Sequence, residues 1–371
     1  MSRIYLDHNA TSPVLFEAKY EMAELLGQPL NASSVHSEGR KARVIIENAR
    51  NKVAVLANCA DAKVVFTASG TEANNLAIKG VNGFRPLVSA IEHPSVLKTA
   101  VSHQGSIAPV TKEGVINLEA LEKLLRAQGH QKYLVSVMLA NNETGIIQPI
   151  KEVVAIAKRY GAIVHTDAVQ AFGKIEVDMA DLDVDMMTVS AHKIGGPQGA
   201  AALIAKKSVN LNSHITGGGQ EQNLRAGTEN IAAIAGFGVA AQIINEEENI
   251  SANLRDYIEN EILSYAPDAI IIGRNQERLT NTSYIVMPNA SSETQLIHFD
   301  INGISVSAGS ACSSGKIEVS HVLRAMAFDE KLAQNSVRVS LGKKNTQDDA
   351  MRFVGVWKEL YNKVNNLSKA A

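Results

Sequence analysis

A lysine follows directly on an apolar run that is typical of a buried strand. The run Met186–Ser190 leads through His192 to Lys193, and the chain then turns through a Gly-Gly-Pro sequence. Lysine is rarely buried without a partner. A lysine at the mouth of a core strand is therefore a candidate for chemistry, above all for a Schiff base with a carbonyl compound. For this motif alone, however, a surface lysine on a turn is the better interpretation.

An aspartate follows a second buried strand in the same way. Asp167 comes directly after the apolar run Ala162–Thr166, and an isolated charge at such a place is very costly. Its carboxylate must therefore be paired, and the protonated ring nitrogen of a cofactor is one partner that would suffice. Gln170 would point to the same region if a turn or helix follows. The alternative, an aspartate that caps the next element, is common.

Polar residues also follow two further strand patterns. His93 comes after the run Pro86–Ile91, and Asn142 after the run Tyr133–Leu139. A lone histidine is more often structural than catalytic, and the simplest interpretation of the residues around Asn142 is a turn. Ligands nevertheless bind at the carboxyl ends of parallel strands. We therefore expect both residues to meet Asp167 and the end of the lysine-bearing strand at one edge of one sheet.

A turn of small residues with the features of a phosphate site follows the strand pattern Lys63–Thr67. Ser69 and Gly70 precede a helix pattern over Glu72–Lys79, and the N–H groups at a helix start bind phosphate well. Thr71 could add a hydroxyl group. An ordinary N-capped helix is about equally compatible with the turn, which matches neither a Walker nor a dinucleotide-binding fingerprint. Together with the lysine and the aspartate, it supplies what pyridoxal phosphate requires.

One of the two cysteines lies in a stretch of small residues. Cys312 is surrounded by Ser, Gly and Ala between Ser305 and Gly315, which favours a water-accessible and reactive thiol. Cys59, at the end of a helix pattern, is predicted to be a small packing residue. Arg338 lies within a strand pattern, and its planar fork suits a substrate carboxylate. An edge-strand arginine in water is the alternative.

The elements that must position these residues alternate between strand and helix. Helix patterns cover Leu118–Ala127, Ile150–Tyr160 and a long amphipathic stretch over residues 35–57. The predicted strands are Lys63–Thr67, Pro86–Ile91, Tyr133–Leu139, Ala162–Thr166, Asp185–Ser190 and Ala200–Ala205. Nearly unbroken apolar strands between helices indicate a mostly parallel sheet that is covered on both faces, and therefore an α/β domain.

The pattern changes after Gly217–Gly219. A long helix pattern that begins at Ile231 is broken by the acidic run Glu246–Glu248, where we place a domain boundary. We assign residues 13–246 to a large cofactor-binding domain, and residues 1–12 and 247–371 to a small α+β domain that carries the cysteine stretch. The patterns expected in the small domain are strands at Ala269–Ile272, Thr282–Val286 and Val337–Ser340, a helix at Glu293–Phe299, and a terminal helix capped at Thr346.

Length and composition exclude several classes of protein. The chain has 371 residues and a net charge of −2, which favours two domains and argues against a nucleic acid or a membrane surface as the main partner. No apolar stretch reaches the roughly eighteen residues that a membrane span needs, and a charged residue comes too early for a signal peptide. Two cysteines cannot form a disulfide framework, so we expect a reducing, cytoplasmic setting.

The motifs, taken in order, resemble those of the NifS/IscS-type cysteine desulfurases. The resemblance runs from residue 4 to about residue 342. It rests on the segments Tyr5–Pro13, Ser69–Asn75, Asn141–Gly145, Asp167–Gln170, Ser190–Lys193, Gly217–Glu221, Arg225–Asn230 and Gly309–Cys312. It implies a fold-type I pyridoxal-phosphate homodimer that takes sulfur from L-cysteine. L-Alanine and an enzyme persulfide would result, and an iron–sulfur scaffold or another acceptor protein would receive the sulfur.

The resemblance also implies how the cofactor is held. Lys193 would bind it covalently, Asp167 would pair with its pyridinium nitrogen, and His93 would stack on its ring and move protons. Gln170 would bond its phenolate oxygen, and Asn142 would contact it as well. The residues around the phosphate would be Gly70, Thr71, Ser190 and His192, with Thr228 reaching it from the other subunit.

Substrate handling follows from the same resemblance. Asn142 and Arg338 would grip the substrate, Arg338 by its carboxylate. Cys312 would attack the substrate sulfur as a thiolate, and it is also a candidate iron–sulfur ligand in a complex with a scaffold. One departure concerns the phosphate turn, where Ser69 stands at a position that is usually glycine in the family. A side chain there puts the backbone geometry of the turn in question.

Three other functions stay open at this point. A selenocysteine lyase is not distinguishable by sequence. A class V aminotransferase has no use for an exposed Cys312, and a catalytically inactive docking subunit would not need Lys193, Asp167 and Cys312 together.

Overall fold

Over the described residues, the fold combines three sheets, of seven, three and two strands, with helices around them. The computed structural model describes residues 3–127, 129, 131–244, 251–309 and 319–370, except for the side chains of residues 367–370. The strands are β1 (Ile4–Tyr5), β2 (Lys63–Thr67), β3 (Arg85–Ser89), β4 (Ser106–Ala108), β5 (Tyr133–Ser136), β6 (Ile163–Asp167), β7 (Met186–Ser190), β8 (Ala201–Ala205), β9 (Ile270–Ile271), β10 (Thr282–Val286), β11 (Ile304–Ser305) and β12 (Ser336–Ser340).

Helices precede and follow most of these strands. They are α1 (Phe16–Leu26), α2 (Ser37–Leu56), α3 (Gly70–Lys79), α4 (Pro94–Ser102), α5 (Leu118–Arg126), α6 (Ile150–Arg159), α7 (Met179–Leu182), α8 (Ile231–Ile243), α9 (Ser251–Tyr265), α10 (Ser292–Ile301), α11 (His321–Ala325), α12 (Glu330–Ala333) and α13 (Gln347–Ala370). Short 3-10 helices cover Ala191–Lys193 and Glu221–Asn223. Over the part of the chain that the structure describes, none of the helices has the length and apolarity to cross a membrane.

The large sheet has seven strands in the order β2-β8-β7-β6-β5-β3-β4. The pairs from β7 to β4 are all parallel, whereas β8 runs antiparallel to both β2 and β7. The predicted, mostly parallel sheet is therefore confirmed. The reversal of β8 was not predicted, and its cause is the short connection after β7, since a parallel neighbour would need a longer crossover.

Successive residues of each strand face different helical layers. On β2, Val64 and Phe66 pack in a core with α2 and α8, whereas Val65 packs with α3 and α4 on the opposite face. This alternation is the geometry of an extended strand. It explains why the strands read as unbroken apolar runs, since both faces are buried.

Several predicted boundaries differ from the structure. β3 ends at Ser89 rather than Ile91, and β5 ends at Ser136 rather than Leu139. The chain after β5 stays extended and bonds to β6, with the Leu139 N–H 2.9 Å from the Asp167 carbonyl oxygen. The apolar pattern therefore extends beyond the end of the strand. After Gly219, α8 ends at Ile243 and α9 begins at Ser251; the acidic run Glu246–Glu248, where the break is predicted, lies outside the described residues.

A second core surrounds the antiparallel sheet β12-β10-β9. It contains Phe299, Phe353 and Trp357, and it takes in Ile4 of the N-terminal strand. β1 pairs in parallel with β11, so the N-terminal residues join the C-terminal part of the chain. This pairing is consistent with the proposed small domain of residues 1–12 and 247–371. The division stays a prediction, and its boundary at residue 246 lies outside the described residues.

A buried ion pair anchors the loop after β8. The Glu221 carboxylate accepts hydrogen bonds from Arg50 Nη1 and Nη2 at 2.8 and 3.1 Å, and from the Phe66 N–H at 2.8 Å. Glu221, Gln222 and Asn223 have φ angles of 44°, 58° and 63°. Left-handed backbone is unfavourable for residues other than glycine, so this conformation depends on the contacts of Glu221.

We expect Glu221→Ala to lower the free energy of unfolding by about 3–5 kcal/mol, because it leaves Arg50 buried without its partner. Glu47→Ala is the matched control, since Glu47 also bonds Arg50 but its side chain is 60% exposed. It should cost at most about 1 kcal/mol. Urea denaturation followed by circular dichroism measures both. Equal losses in the two variants would show that the buried pair does not hold the loop.

Candidate active site

The predicted site residues gather at the carboxyl edge of the large sheet. β2, β3, β5, β6 and β7 all run in the same direction, so their ends share this edge. The residues that follow them are Gly70 and Thr71 after β2, His93 after β3, Asn142 after β5, Asp167 and Gln170 at and after β6, and Ser190, His192 and Lys193 at and after β7. The expectation of a common edge therefore holds. Thr228 lies apart, exposed on the loop after β8.

Asp167 is a buried carboxylate held by two donors. Its Oδ2 accepts from Asn74 Nδ2 at 2.7 Å, and its Oδ1 accepts from the Val169 N–H at 3.0 Å. Asn74 also bonds Ser95 Oγ at 2.9 Å, which links the aspartate to the start of α4. Behind it lies His165, whose pKa is lowered to about 4 by burial. A buried anion with only neutral donors is well placed to pair with a cation.

His93 caps α4 and presents a neutral ring. The Ser95 N–H donates to its Nδ1 at 3.1 Å, and Ser95 Oγ lies 2.7 Å from the same nitrogen. Because Nδ1 accepts the hydrogen bond from the Ser95 N–H, the neutral imidazole carries its own hydrogen on Nε2. Burial lowers the pKa of His93, and Lys193 lowers it further, whereas Asp167 opposes this shift.

The turn after β2 has the geometry of a phosphate cradle. α3 begins at Gly70, two residues earlier than predicted, and its first helical hydrogen bond is made by Ala73. The Ser69 backbone is extended, with a φ of −164°, so a side chain at this position fits the turn. Its Oγ accepts from the Glu72 N–H at 3.2 Å. The backbone of the turn therefore accommodates the side chain that Ser69 has in place of the family's usual glycine.

The fit of a phosphate group can be judged from the hydroxyl next to this turn. Ser190 Oγ is buried and has no hydrogen-bond partner among the described residues. A Cβ at Gly70 would lie 3.9 Å from the Ser190 Cβ, so the hydroxyl borders the helix start. An unpaired buried hydroxyl beside helical N–H groups suits an anion with several acceptor oxygens.

The ammonium group of Lys193 lies against the N-terminal segment. Its Nζ donates to the carbonyl oxygens of Asn9 and Ala10 at 2.5 and 2.7 Å. Gln170 Nε2 also donates to the Asn9 carbonyl oxygen, at 2.9 Å, and its Oε1 accepts from Lys174 Nζ at 2.8 Å. The amide of Gln170 is therefore fixed in orientation, with its Nε2 on the side of Lys193 and its Oε1 on the side of Lys174.

Two more basic side chains lie near Lys193. The pKa of Lys174 is lowered well below its ordinary value by burial of the ammonium, and then by Lys193 and Arg338. The pKa of His192 falls to about 4, for the same reason of burial, and its Nδ1 lies 3.2 Å from Thr11 Oγ1. The positive charge of Lys193 adds to the effect of burial on both groups, so this side of the site favours anions.

Arg338 lies on the other side of the site, on β12. Its side chain is only 5% exposed, so the alternative of an edge-strand arginine in water is wrong. Nη2 donates to Asp7 Oδ1 at 2.7 Å and Nη1 to the Asn142 carbonyl oxygen at 2.9 Å. Arg338 Nε and Asn142 Oδ1 are buried without a partner among the described residues. The pair has hydrogen-bonding capacity left for a small polar ligand.

The structure describes one of the two cysteines, Cys59. Cys312, the predicted nucleophile and iron–sulfur ligand, lies outside the described residues. Cys59 is buried, its Sγ lies 3.4 Å from the Ala54 carbonyl oxygen, and burial raises its pKa to about 11. It is a packing residue, as predicted. Within the described ranges, no three His, Cys, Asp or Glu side chains are grouped to hold a metal ion.

A buried carboxyl group, that of Glu92, directly precedes His93 in the chain. Glu92 Oε1 accepts from Ser89 Oγ at 2.7 Å and from the Met138 N–H at 2.8 Å, while Oε2 has no partner among the described residues. Burial raises the pKa of Glu92 to about 8, with a further contribution from Asp167. The group is therefore neutral at pH 7 in the folded protein.

Sequence reasoning missed the residues that orient the predicted ones. They are Asn74, Ser95 and His165 around the aspartate, Asn9 and Lys174 around Gln170, and Asp7 beside Arg338. Asn9, Asp7 and Asn74 lie inside segments that carry the family resemblance, which was the available signal. The others are ordinary polar residues in helices or strands, and their role shows only in the contacts.

Comparisons with known proteins identify the family and the fold of the chain. Residues 4–353 match the family model described as Aminotransferase class-V. The chain is 38% identical to "Cysteine desulfurase IscS" of Dictyoglomus turgidum over 98% of this chain and 96% of the relative. It is 39% identical to "Cysteine desulfurase IscS 1" of Archaeoglobus fulgidus over 98% of each chain. A solved NifS-like protein from Rickettsia africae superposes with a TM-score of 0.91 at 39% identity, covering 97% of this chain and 99% of that one.

We expect Glu92→Gln to stabilise the protein more at pH 7 than at pH 5. Between pH 4.5 and about 8 the folded state keeps a proton that the unfolded state has lost, so the free energy of unfolding of the wild type falls as pH rises. The slope from this group is about 1.4 kcal/mol per pH unit, and the variant lacks it. The difference between variant and wild type should therefore grow by about 2 kcal/mol from pH 5 to pH 7.

Urea denaturation at the two pH values measures this difference. Glu293→Gln, at an exposed position, controls for the loss of one carboxyl group. A difference that stays constant with pH for Glu92→Gln would show that the buried carboxyl is ionised in the folded state.

Proposed function

The chain belongs to the aminotransferase class-V family, and on that premise we propose that it is a cysteine desulfurase. It would bind pyridoxal phosphate and take sulfur from L-cysteine, leaving L-alanine and a persulfide on Cys312. The observation that carries the proposal is the juxtaposition at one sheet edge of Lys193, the buried Asp167 carboxylate and the helix start at Gly70. The relatives named cysteine desulfurase support the choice of substrate.

The residues at the sheet edge fit the cofactor. Lys193 would hold it covalently, and Asp167 would pair with the protonated ring nitrogen, which the buried carboxylate favours by its charge. The unpaired Ser190 hydroxyl, the N–H groups of Gly70 and Thr71, and His192 would bind the phosphate. Gln170 would donate to the phenolate oxygen from its Nε2, which is the orientation that Lys174 imposes. The bound cofactor supplies an electron sink for breaking the carbon–sulfur bond.

The protein's own groups would then carry the sulfur chemistry. Arg338 and Asn142 would bind the carboxylate of L-cysteine, since both have buried polar atoms without a partner among the described residues. His93 would move a proton at its Nε2. The Cys312 thiolate would take the substrate sulfur, so that a sulfur–sulfur bond forms while the carbon–sulfur bond breaks. The carbon left behind regains a proton and leaves as L-alanine.

We also propose a homodimer that works in the cytoplasm. Thr228 is exposed within one chain, and in a dimer it would reach the phosphate site of the partner subunit. Glu221 anchors the loop that carries Thr228, and this would allow the loop to project toward the partner subunit. The persulfide sulfur would pass to an iron–sulfur scaffold or another acceptor protein, because a persulfide is a transferable form of sulfur.

Separating the cofactor from the sulfur chemistry tests the proposal. Purified protein should be yellow from the cofactor, and Lys193→Ala should be colourless because the covalent attachment is lost. Cys312→Ser should keep the colour and release no sulfide from L-cysteine, because only a thiolate can accept the sulfur. Absorbance spectra and a sulfide assay measure both. Normal sulfide release by Cys312→Ser would rule out a persulfide on Cys312 as part of the mechanism.

Arg338→Lys should raise the KM for L-cysteine about 10- to 100-fold, because a lysine cannot make the two-pronged bond to a carboxylate. Arg278→Lys is the matched control, since Arg278 is another buried arginine with a bidentate partner, Glu259, at 2.9 and 3.0 Å. It should lower stability and leave KM unchanged. A similar KM change in both variants would mean that Arg338 acts through the fold.

A further inference from the structure

Two separate parts of the chain meet at one buried carboxyl group. Ser320 Oγ donates to Glu143 Oε2 at 2.5 Å. Gly309 lies against the same group: a Cβ at this position would be 2.6 Å from Glu143 Oε2 and would overlap the hydroxyl of Tyr284. Gly309 and Ser320 flank the segment that carries Cys312. The residues on either side of that segment thus contact Glu143 and Tyr284.

Glu143 is itself rigidly placed by a tight turn. Its N–H and that of Thr144 both donate to Asn141 Oδ1 at 2.9 Å, and the Gly145 N–H closes the turn on the Asn141 carbonyl oxygen at 3.0 Å. Asn141 Nδ2 donates in turn to the Ile91 carbonyl oxygen at 3.1 Å. The carboxyl group is therefore fixed to the sheet edge from which His93 also projects.

The same cluster is tied to the candidate substrate arginine. Tyr284 on β10 is the register partner of Arg338 on β12. The chain before Gly309 pairs with Arg338 as well, since the Arg338 N–H donates to the Ser307 carbonyl oxygen at 2.7 Å and the Ser307 N–H returns a bond at 3.2 Å. These backbone bonds fix the position of the first flank relative to β12.

We propose that Glu143 is a positioning residue for sulfur transfer, which with Tyr284 fixes Gly309 and Ser320 relative to Arg338. The inference rests on the proposed cysteine desulfurase activity. Glu143 need not touch the substrate to act in this way. It sets where the chain enters and leaves the stretch that holds Cys312, and so the distance over which the thiolate must reach the substrate sulfur.

A purely structural role does not account for a carboxyl group at this place. Glu143 is fully buried, and burial raises its pKa to about 7, against the opposing effects of Ser320, Arg338 and Tyr284. A buried carboxyl is a costly way to fill space, and an apolar residue of similar volume would stabilise the fold better. We therefore assign the carboxyl group the role of orienting its donors.

Ser320 provides the most direct variant. Its hydroxyl caps α11 by accepting from the Leu323 N–H at 3.1 Å while it donates to Glu143. Ser320→Thr keeps both bonds and is the conservative rescue. Ser291→Ala is the matched control, because Ser291 caps α10 in the same way, at 3.2 Å from the Thr294 N–H, and lies away from the cluster. Both alanine variants lose a helix cap, and only one loses the link to Glu143.

The test measures two steps of the holoenzyme reaction separately. The colour change on adding L-cysteine gives the Kd, and alkylation followed by mass spectrometry gives the rate of persulfide formation on Cys312, with buried Cys59 as the unreactive reference. We expect Glu143→Ala and Ser320→Ala to slow persulfide formation at least tenfold with Kd changed less than twofold. Ser320→Thr and Ser291→Ala should stay within threefold of the wild type.

The outcomes separate this inference from the proposed function. If the wild type forms no persulfide, the desulfurase proposal fails and this one with it. If the wild type forms it and Ser320→Ala matches Ser291→Ala, the positioning role is overturned and the desulfurase proposal stands. A loss in Ser320→Ala that appears equally in Kd would also overturn it, because it would place the effect at substrate binding.

Discussion

The buried carboxylate of Asp167 is the constraint on which the site depends. It sits at the end of β6 with Asn74 and a backbone N–H as its donors, and both donors are neutral. An anion in such a place stabilises a cation brought to it. Asn74 belongs to α3, whose first residue is Gly70, one helical turn earlier. The rise of about 1.5 Å per residue sets these two points about 6 Å apart along the axis. One helix therefore fixes both the phosphate cradle and the donor to the aspartate.

The side of the site that faces the substrate is built differently, across the two cores. Asn9 contacts Lys174 in the large sheet region through its Oδ1, and it donates to Thr282 on β10 at 2.9 Å. Arg338 and Asp7 complete this side from the second core. Burial lowers the pKa values of Lys174, His8 and His192, and neighbouring basic groups lower them further. A ligand with a carboxylate would be attracted to the basic groups on this side of the site.

The sequence predicts the parts of the site that follow from local order. A parallel sheet brings the ends of its strands to one edge, so Asp167 and Lys193 could be placed together without a structure. The sequence does not predict contacts between residues that are far apart in the chain. Asn74 and Asp167 are 93 positions apart, and Asp7 and Arg338 are 331 apart. The direction of β8, the burial of Arg338 and the left-handed turn at Glu221 also depend on tertiary contacts, which override local patterns.

A lysine, a paired aspartate and a phosphate cradle serve many reactions on the same fold, so they do not by themselves make a desulfurase. The specific chemistry needs a second nucleophile at the right place, and the turn after β5 is where the two requirements meet. Asn142 offers its carbonyl oxygen to Arg338, and the next residue, Glu143, holds Ser320. Adjacent residues of one rigid turn thus serve the substrate side and the cysteine-bearing side. In the proposed function, Asn142 thus acts with Arg338 at the substrate, while Glu143 fixes the two ends of the stretch that holds Cys312.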